Sequence, residues 1–506
     1  MQETTGNDII AHIINETNSE INSLLQRAIS ARLDQLISTG FTSDLAFSVV
    51  IMAMSSTVRE NLSNNIHSLN SIISDIELNP SSAATTSYTN NSLGALSSLD
   101  SEGVSSLLSG VYWNDSHSTL TYSFNETIPD SYYNMDLTDN FTPLAQAQQE
   151  SVRSIMQEVS SLLDINFEET NDEGIIRFSI IDMEESTAAF AYYPNESEDY
   201  GGDIFLSTEN FGENAPIEKG DFNYSTIVHE LGHALGLKHP FEGEDRLPQD
   251  EDNIQHTIMS YSNDASMTTE FFFDSEGALN YQTVFVQPSL YSLYDISALQ
   301  AVYGINSNYH QGDNTYAYSF DDPCYVAIWD TGGVDTIDLS SNHGQTIFDL
   351  HSGTINSVDF YTIEAIIERQ QEIIDYEYFN SWIDTSIQDI YDQGTLYTGK
   401  NNISIANGTI IENISTGYGD DIITDNEVDN IIQTGFGNDV IHLGNGGYDE
   451  VDGQNGSDIV YFNFSSNDAT IETNTDGVFI STETYSAKLI NIEQIGFIDT
   501  NELINL

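Results

Sequence analysis

The stretch His229-Glu230-Leu231-Gly232-His233-Ala234-Leu235-Gly236-Leu237-Lys238-His239 decides how the rest of the chain is read. On a helix, His229 and His233 stand four apart, so both imidazoles leave one face and reach one metal ion. Glu230 points to the side of that pair, where a carboxylate can take a proton from a water on the metal. Gly236 tolerates the left-handed conformation that a sharp helix end needs. Such a turn brings His239 back as a third ligand and leaves a fourth position open. An ordinary buried helix with three chance histidines is the competing reading, and the fixed spacing of His229, Glu230, His233, Gly236 and His239 weighs against it.

The form H-E-x-x-H-x-x-G-x-x-H resembles the elongated zinc signature of the metzincin metalloproteases. Downstream, Thr257-Ile258-Met259-Ser260-Tyr261-Ser262 is similar to the methionine turn of that family, and its M-S-Y form resembles the serralysin branch. The resemblance implies one catalytic Zn2+ on His229, His233 and His239, with Glu230 as general base. It makes Met259 the hydrophobic floor of the site, and Tyr261 a further, displaceable zinc ligand that then supports the transition state. Without the family, Met259 reads equally as a core residue and Tyr261 equally as a turn residue.

The chain has 506 residues, with 39% hydrophobic and 11% aromatic content, which suits two to four globular domains. Its 80 acidic residues against 11 basic ones give a formal net charge of -69, which argues against nucleic acid and anionic membrane partners. Salt adaptation or a set of divalent-cation sites would account for such an excess. Cys324 is the only cysteine, so an intrachain disulfide is excluded and packing or metals must stabilise the fold. The first basic residue is Arg27, so the opening lacks a standard secretory leader, and the apolar run around Leu45 to Met54 is too short to span a bilayer.

Residues 1–95 read as helical, with Ile10, Ile14, Ile21, Leu25 and Ile29 near helical spacing, and Pro80 to Ser92 as a linker. This region reads as a solvated helical bundle with no chemistry of its own, or as a pro-segment, a partner-binding hairpin or a secretion accessory. The resemblance to the serralysin catalytic domain begins near Leu107 and defines a unit over 96–305. Thr142 and Pro143 predict a helix start, as cap and first helical residue. Ile175 to Ile180 and Gly201 to Leu206 read as strands. Ala189, Phe190, Ala191 and Tyr192 match the family's edge strand, against which an extended substrate pairs, although a plain aromatic strand reads as well. Helix and strand alternating around one catalytic helix predict an α+β domain.

Residues 306–506 read as a β-rich half with a helical insertion at about 363–393. Trp329-Asp330-Thr331-Gly332-Gly333-Val334-Asp335 places carboxylates around a Gly-Gly turn, which suits a hard cation. By resemblance, Gly312, Asp330, Gly332, Gly333 and Asp335 are calcium ligands, and Thr409 and Glu412 hold a second ion with Asp335. Gly417-Tyr418-Gly419-Asp420-Asp421 then recurs as Gly435-Phe436-Gly437-Asn438-Asp439. Asp421, Asn430, Asp439, Asp449 and Asp458 follow at nonapeptide spacing, with Gly447 and Gly456 in the later turns. This is the pattern of a calcium-binding parallel β-roll. Asn430 in place of Asp and Val428 in place of Gly make the number of Ca2+ ions uncertain.

The expected protein is therefore an α+β metzincin domain followed by an all-β, calcium-bound parallel β-roll, with an extra N-terminal helical region. The resemblance implies a secreted, monomeric zinc endopeptidase acting on proteins or peptides. It would have no membrane anchor and would be exported from a bacterium in one step by a type I exporter that reads a C-terminal signal within 499–506. A non-catalytic calcium-dependent adhesin, or a narrow-specificity effector whose N-terminal helices bind a partner, are the alternatives.

Overall fold

The computed structural model describes residues 101–506, apart from 114–117, 135–139, 172, 184–186, 213–214, 263–264, 276 and 500–502. The helical reading of residues 1–95 lies outside the described residues. Five strands make the first sheet: β1 (Thr119–Phe124), β2 (Asn166–Glu169), β3 (Ile176–Ile181), β4 (Ala189–Ala191) and β5 (Ile204–Ser207). Their order is β2-β1-β3-β5-β4, parallel throughout except for β4, which runs antiparallel to β5 at the sheet edge. Every residue of β3 and β5 is buried, as expected for strands covered on both faces.

Two helices build the core beside this sheet. Val152, Ile155, Met156 and Val159 of α1 (Gln146–Leu162) and Ile227, Val228 and Leu231 of α2 (Phe222–Ala234) belong to one buried cluster. Burial of each such side chain contributes about 1.5–3 kcal/mol. The start of α1 differs from expectation. Thr142 is held extended, because its backbone exchanges two hydrogen bonds with Ile180. The helix begins three residues past Pro143, where the Gln148 side chain accepts from the Ala145 N–H. A third helix, α3 (Leu293–Tyr303), closes this half. Its Tyr303 hydroxyl donates to Leu235 O and the Trp113 indole donates to Ala234 O, so two orphan carbonyls at the end of α2 are satisfied.

The second half is a roll of short parallel strands. A nine-stranded sheet includes Ile422–Thr424, Val440–Leu443 and Ile459–Phe462, while an eight-stranded sheet includes Thr336–Asp338, Asn413–Ser415, Ile431–Gln433 and Tyr448–Asp452. The chain winds between the two, and strands on each sheet pair parallel with the next coil. Each coil sends one apolar side chain inward at mid-strand. Ile337, Ile414, Ile432 and Val451 from one sheet meet Ile423, Ile441 and Val460 from the other, all fully buried.

The insertion forms α4 (Ile363–Ile374) and α5 (Asn380–Asp392). These helices share a third core with a hairpin, Met267–Phe273 with Leu279–Phe285, that sequence patterning did not reveal. Trp382 of α5 packs against Phe271 and Tyr281 of the hairpin. No helix among the described residues is long and apolar enough to cross a membrane.

Candidate metal centre

Helix α2 starts at Asp221, whose carboxylate accepts from the Tyr224 N–H at 2.6 Å. It ends after Ala234, and Gly236 follows at φ +103°. At Gly236 an added Cβ would lie 2.3 Å from Val111 O, so both conformation and space demand glycine there. The turn returns His239 to the helix. Its Nε2 lies 3.3 Å from Nε2 of His229 and 3.1 Å from Nε2 of His233. Among the described residues, these three are the one group of three metal-type side chains whose ligand atoms all lie within 4.8 Å of one another.

The other ring nitrogens fix the tautomers. Nδ1 of His229 lies 2.8 Å from Ile258 O, Nδ1 of His233 2.8 Å from Leu237 O, and Nδ1 of His239 2.8 Å from the Glu242 carboxylate. Each Nδ1 thus carries its proton toward an acceptor, leaving three Nε2 lone pairs aimed at one point. Two nitrogens on a tetrahedral zinc at about 2.0–2.1 Å stand roughly 3.3–3.4 Å apart, so the donor set fits Zn2+. Burial, with His239 next to it, holds His229 down at about 4. Burial and the two neighbouring imidazoles hold His233 well below its ordinary value. His229 and His233 are thereby held neutral, as metal ligation requires.

Glu230 is buried beside them, and its Oε2 has no partner among the described residues. Burial pushes its carboxyl up to about 8. Met259 is fully buried beneath the helix, and a Cβ on Gly232 would stand 2.7 Å from its sulfur. The Tyr261 hydroxyl lies 2.7 Å from His239 Nε2, on a ring that is 53% exposed. Strand β4 is the outermost strand of the sheet, and just past it Tyr193 sets its ring edge-on against His233 at 5.5 Å. Tyr192 donates its N–H to Asp203 O and packs its ring on Tyr200. His256 is outside the cluster, with Nδ1 on Asn253.

Sequence reading missed two supports of this site. Asp295, fully buried in the first turn of α3, accepts from Thr257 Oγ1, the Ile258 N–H and the Ser292 N–H. It thereby locks the methionine turn, whose Ile258 carbonyl orients His229. Glu242 orients His239 in the same way. Only their offsets, three into a helix and three past a ligand, could have flagged them.

In the roll, Asp421, Asp439 and Asp458 stand in file, each just ahead of a strand of the nine-stranded sheet. The Asp421 N–H donates to Asp439 Oδ1 and the Asp439 N–H to Asp458 Oδ1, while Oδ2 of all three is buried without a partner. Gly437 and Gly456 allow close stacking, since a Cβ on either would collide with the carbonyl of Gly419 or Gly437 in the coil before. Gly435 stacks on Gly417 in the same way. An oxygen-seeking cation fits this file of orphaned carboxylate oxygens and carbonyls. The first turn of the other file is similar: Asp335 Oδ2 and Asn314 Oδ1 are buried without partners, and Glu412 accepts from the Asp335 N–H. Gly333 stacks on Gly312 there, Gly332 donates to Asp330 Oδ1, and Thr409 bonds the Asp330 backbone. Farther along, Asn430 and Asp449 are fully partnered, and Gly447 stacks on Val428.

Comparison with known proteins places these features. Residues 112–264 match the family model described as Matrixin, of the peptidase M10 group, and residues 293–369 match the one described as Peptidase M10 serralysin C terminal. Serralysin of Proteus mirabilis is 27% identical over 356 residues, covering 63% of this chain and 62% of its own. Serralysin G of Dickeya chrysanthemi is 27% identical, covering 62% and 60%, and metallopeptidase AprA of Pseudomonas marginalis is 27% identical, covering 62% and 61%. The chain spans about three-fifths of the length of these relatives. The histidine helix, the methionine turn and both peptidase M10 matches lie on one chain, which is thus similar to the serralysin-like metzincins.

Proposed function

We propose that the protein is a secreted zinc endopeptidase that hydrolyses peptide bonds of protein substrates and is stabilised by calcium in its roll. The observation that carries this reading is the convergence of three Nε2 atoms beside the buried Glu230, whose Oε2 has no partner among the described residues. His229, His233 and His239 would hold Zn2+, which when bound supplies Lewis acidity for the scissile carbonyl and the attacking water. Glu230 then takes the proton of that water and delivers it to the leaving amine. A cation at the histidines draws the Glu230 carboxyl back below the value that burial alone gives it, so that it is a base near neutral pH. Tyr261, anchored on His239 but exposed, is free to move toward the substrate carbonyl and donate to the developing oxyanion. The outer edge of β4 would take the extended substrate by main-chain hydrogen bonds, with Ala189, Phe190, Ala191 and Tyr192 along it. Asp421, Asp439 and Asp458, and separately Asp335 with Asp330, Thr409 and Glu412, would hold calcium.

Within this reading the catalytic unit spans 96–305 and the roll 306–506, and export as a monomer by a type I exporter follows from the family. An adhesin would leave the converging nitrogens and the buried Glu230 without a purpose. The test is hydrolysis of denatured casein by the wild type and by Glu230→Ala, with zinc content measured in both. Cleavage by the wild type alone, with zinc retained in the variant, is expected. Equal cleavage by both would overturn the assignment of Glu230.

A further inference from the structure

The two files of turn residues in the roll descend from the same sequence pattern but end in different chemistry. In the file that feeds the nine-stranded sheet, three buried aspartates each keep one oxygen unpartnered. In the file that feeds the eight-stranded sheet, the positions past Glu412 keep none. The Asn430 side chain donates to Glu412 O and Asn426 Oδ1 and accepts from the Asn426 N–H. Asp449 Oδ1 accepts from the Asn430 N–H, and its Oδ2 accepts from the buried Tyr485 hydroxyl at 2.7 Å. Tyr485 arrives from the loop between strands Gly477–Ser481 and Ser486–Ile490, pinned by Thr482 on both its backbone groups. The neighbouring Asp425 is occupied as well, by the N–H groups of Gly444 and Asn445 and by the Asn445 amide.

We propose that divalent cations occupy only the Asp421–Asp439–Asp458 file and the Asp335 turn, and that at Asn430–Asp449 this chain has replaced the cation with Tyr485 and an asparagine network. Asp330 has both oxygens taken in the same way, by the Tyr316 hydroxyl and the Gly332 N–H, but beside it Asp335 Oδ2 and Asn314 Oδ1 are left open. At Asn430–Asp449 no oxygen is left open, and the asparagine removes the second negative charge that a hard cation site needs. The roll is then calcium-dependent along one side and hydrogen-bonded along most of the other. This inference rests on the calcium reading given above and adds which positions do not take the ion.

The test is the number of calcium ions retained per full-length chain, measured by elemental analysis after gel filtration in micromolar calcium, with folding checked by far-UV circular dichroism. Asp439→Asn is expected to retain at least one ion fewer than the wild type, and Asp449→Asn the same number as the wild type. Should Asp449→Asn fail to fold, Tyr485→Phe replaces it, and its count is expected not to fall. A lower count in Asp449→Asn or Tyr485→Phe, or an unchanged count in Asp439→Asn, overturns the proposal. A wild type that retains no calcium overturns the calcium reading itself, and this inference with it.

Discussion

The histidine centre and the aspartate file both bury groups that call for a cation, yet they differ in what is left when the cation is taken away. At the centre, the three Nδ1 atoms are tied to Ile258 O, Leu237 O and Glu242, so the three rings keep their orientation. In the file, Asp421, Asp439 and Asp458 become buried charges stacked on one another, with orphaned oxygens. Ligand charge decides the outcome. Imidazoles whose other nitrogens are tied down can stand together without a cation, whereas buried carboxylates stacked on one another repel and leave oxygens without partners.

The largest effect that would sharpen this contrast lies at Glu230. Glu230→Gln is expected to lower kcat/KM on a protein substrate by about 10²–10⁴-fold. Its melting temperature should hold or rise, because the substitution removes a buried acid with an unpartnered oxygen. Calcium removal should do the reverse. Burial pushes the Asp421 carboxyl up to about 7 and the Asp458 carboxyl up to about 6. A folded-state value raised above the unfolded one gives stability that is present at low pH and lost as pH rises through the folded value. Calcium-free protein should therefore melt at progressively lower temperature between about pH 4 and pH 7, and saturating calcium should reduce that slope to the part contributed by Asp449 and Asp295, whose carboxyls burial also pushes up to about 7. A flat calcium-free profile would break the comparison.

Two smaller effects belong to the centre. Tyr261→Phe is expected to reduce kcat on the order of 10²-fold, the worth of one oxyanion donor, with zinc content unchanged. Glu242→Gln should weaken zinc retention about 10-fold, read by competition with a chromogenic chelator, while the melting curve stays in place.

Much of the centre was legible in the sequence because its parts are local. Spacing alone places His229 and His233 on one face, and Gly236 marks the turn that returns His239. The coil of the roll was equally plain, since glycines and aspartates recur in phase with an apolar residue such as Ile423 or Ile441. What stayed hidden depends on distant partners. Thr142 and Pro143 look like a helix start, but an antiparallel bridge to Ile180 holds that segment extended. The hairpin after the methionine turn is stabilised by Trp382, about a hundred residues away in sequence. Asp449 matches the repeat as well as Asp439 does, and only the position of Tyr485 tells them apart.

The measurement that bears most directly on the account is a pair of thermal melts of the full chain near pH 8, each with casein hydrolysis measured in parallel. In one sample zinc is stripped with 1,10-phenanthroline in excess calcium; in the other calcium is removed by exhaustive dialysis against EGTA, the chelator is then washed out, and one equivalent of zinc is restored. Loss of zinc is expected to abolish hydrolysis and barely move the melt, while loss of calcium is expected to lower the melt markedly. A melt that collapses without zinc and stands unchanged without calcium would contradict both expectations.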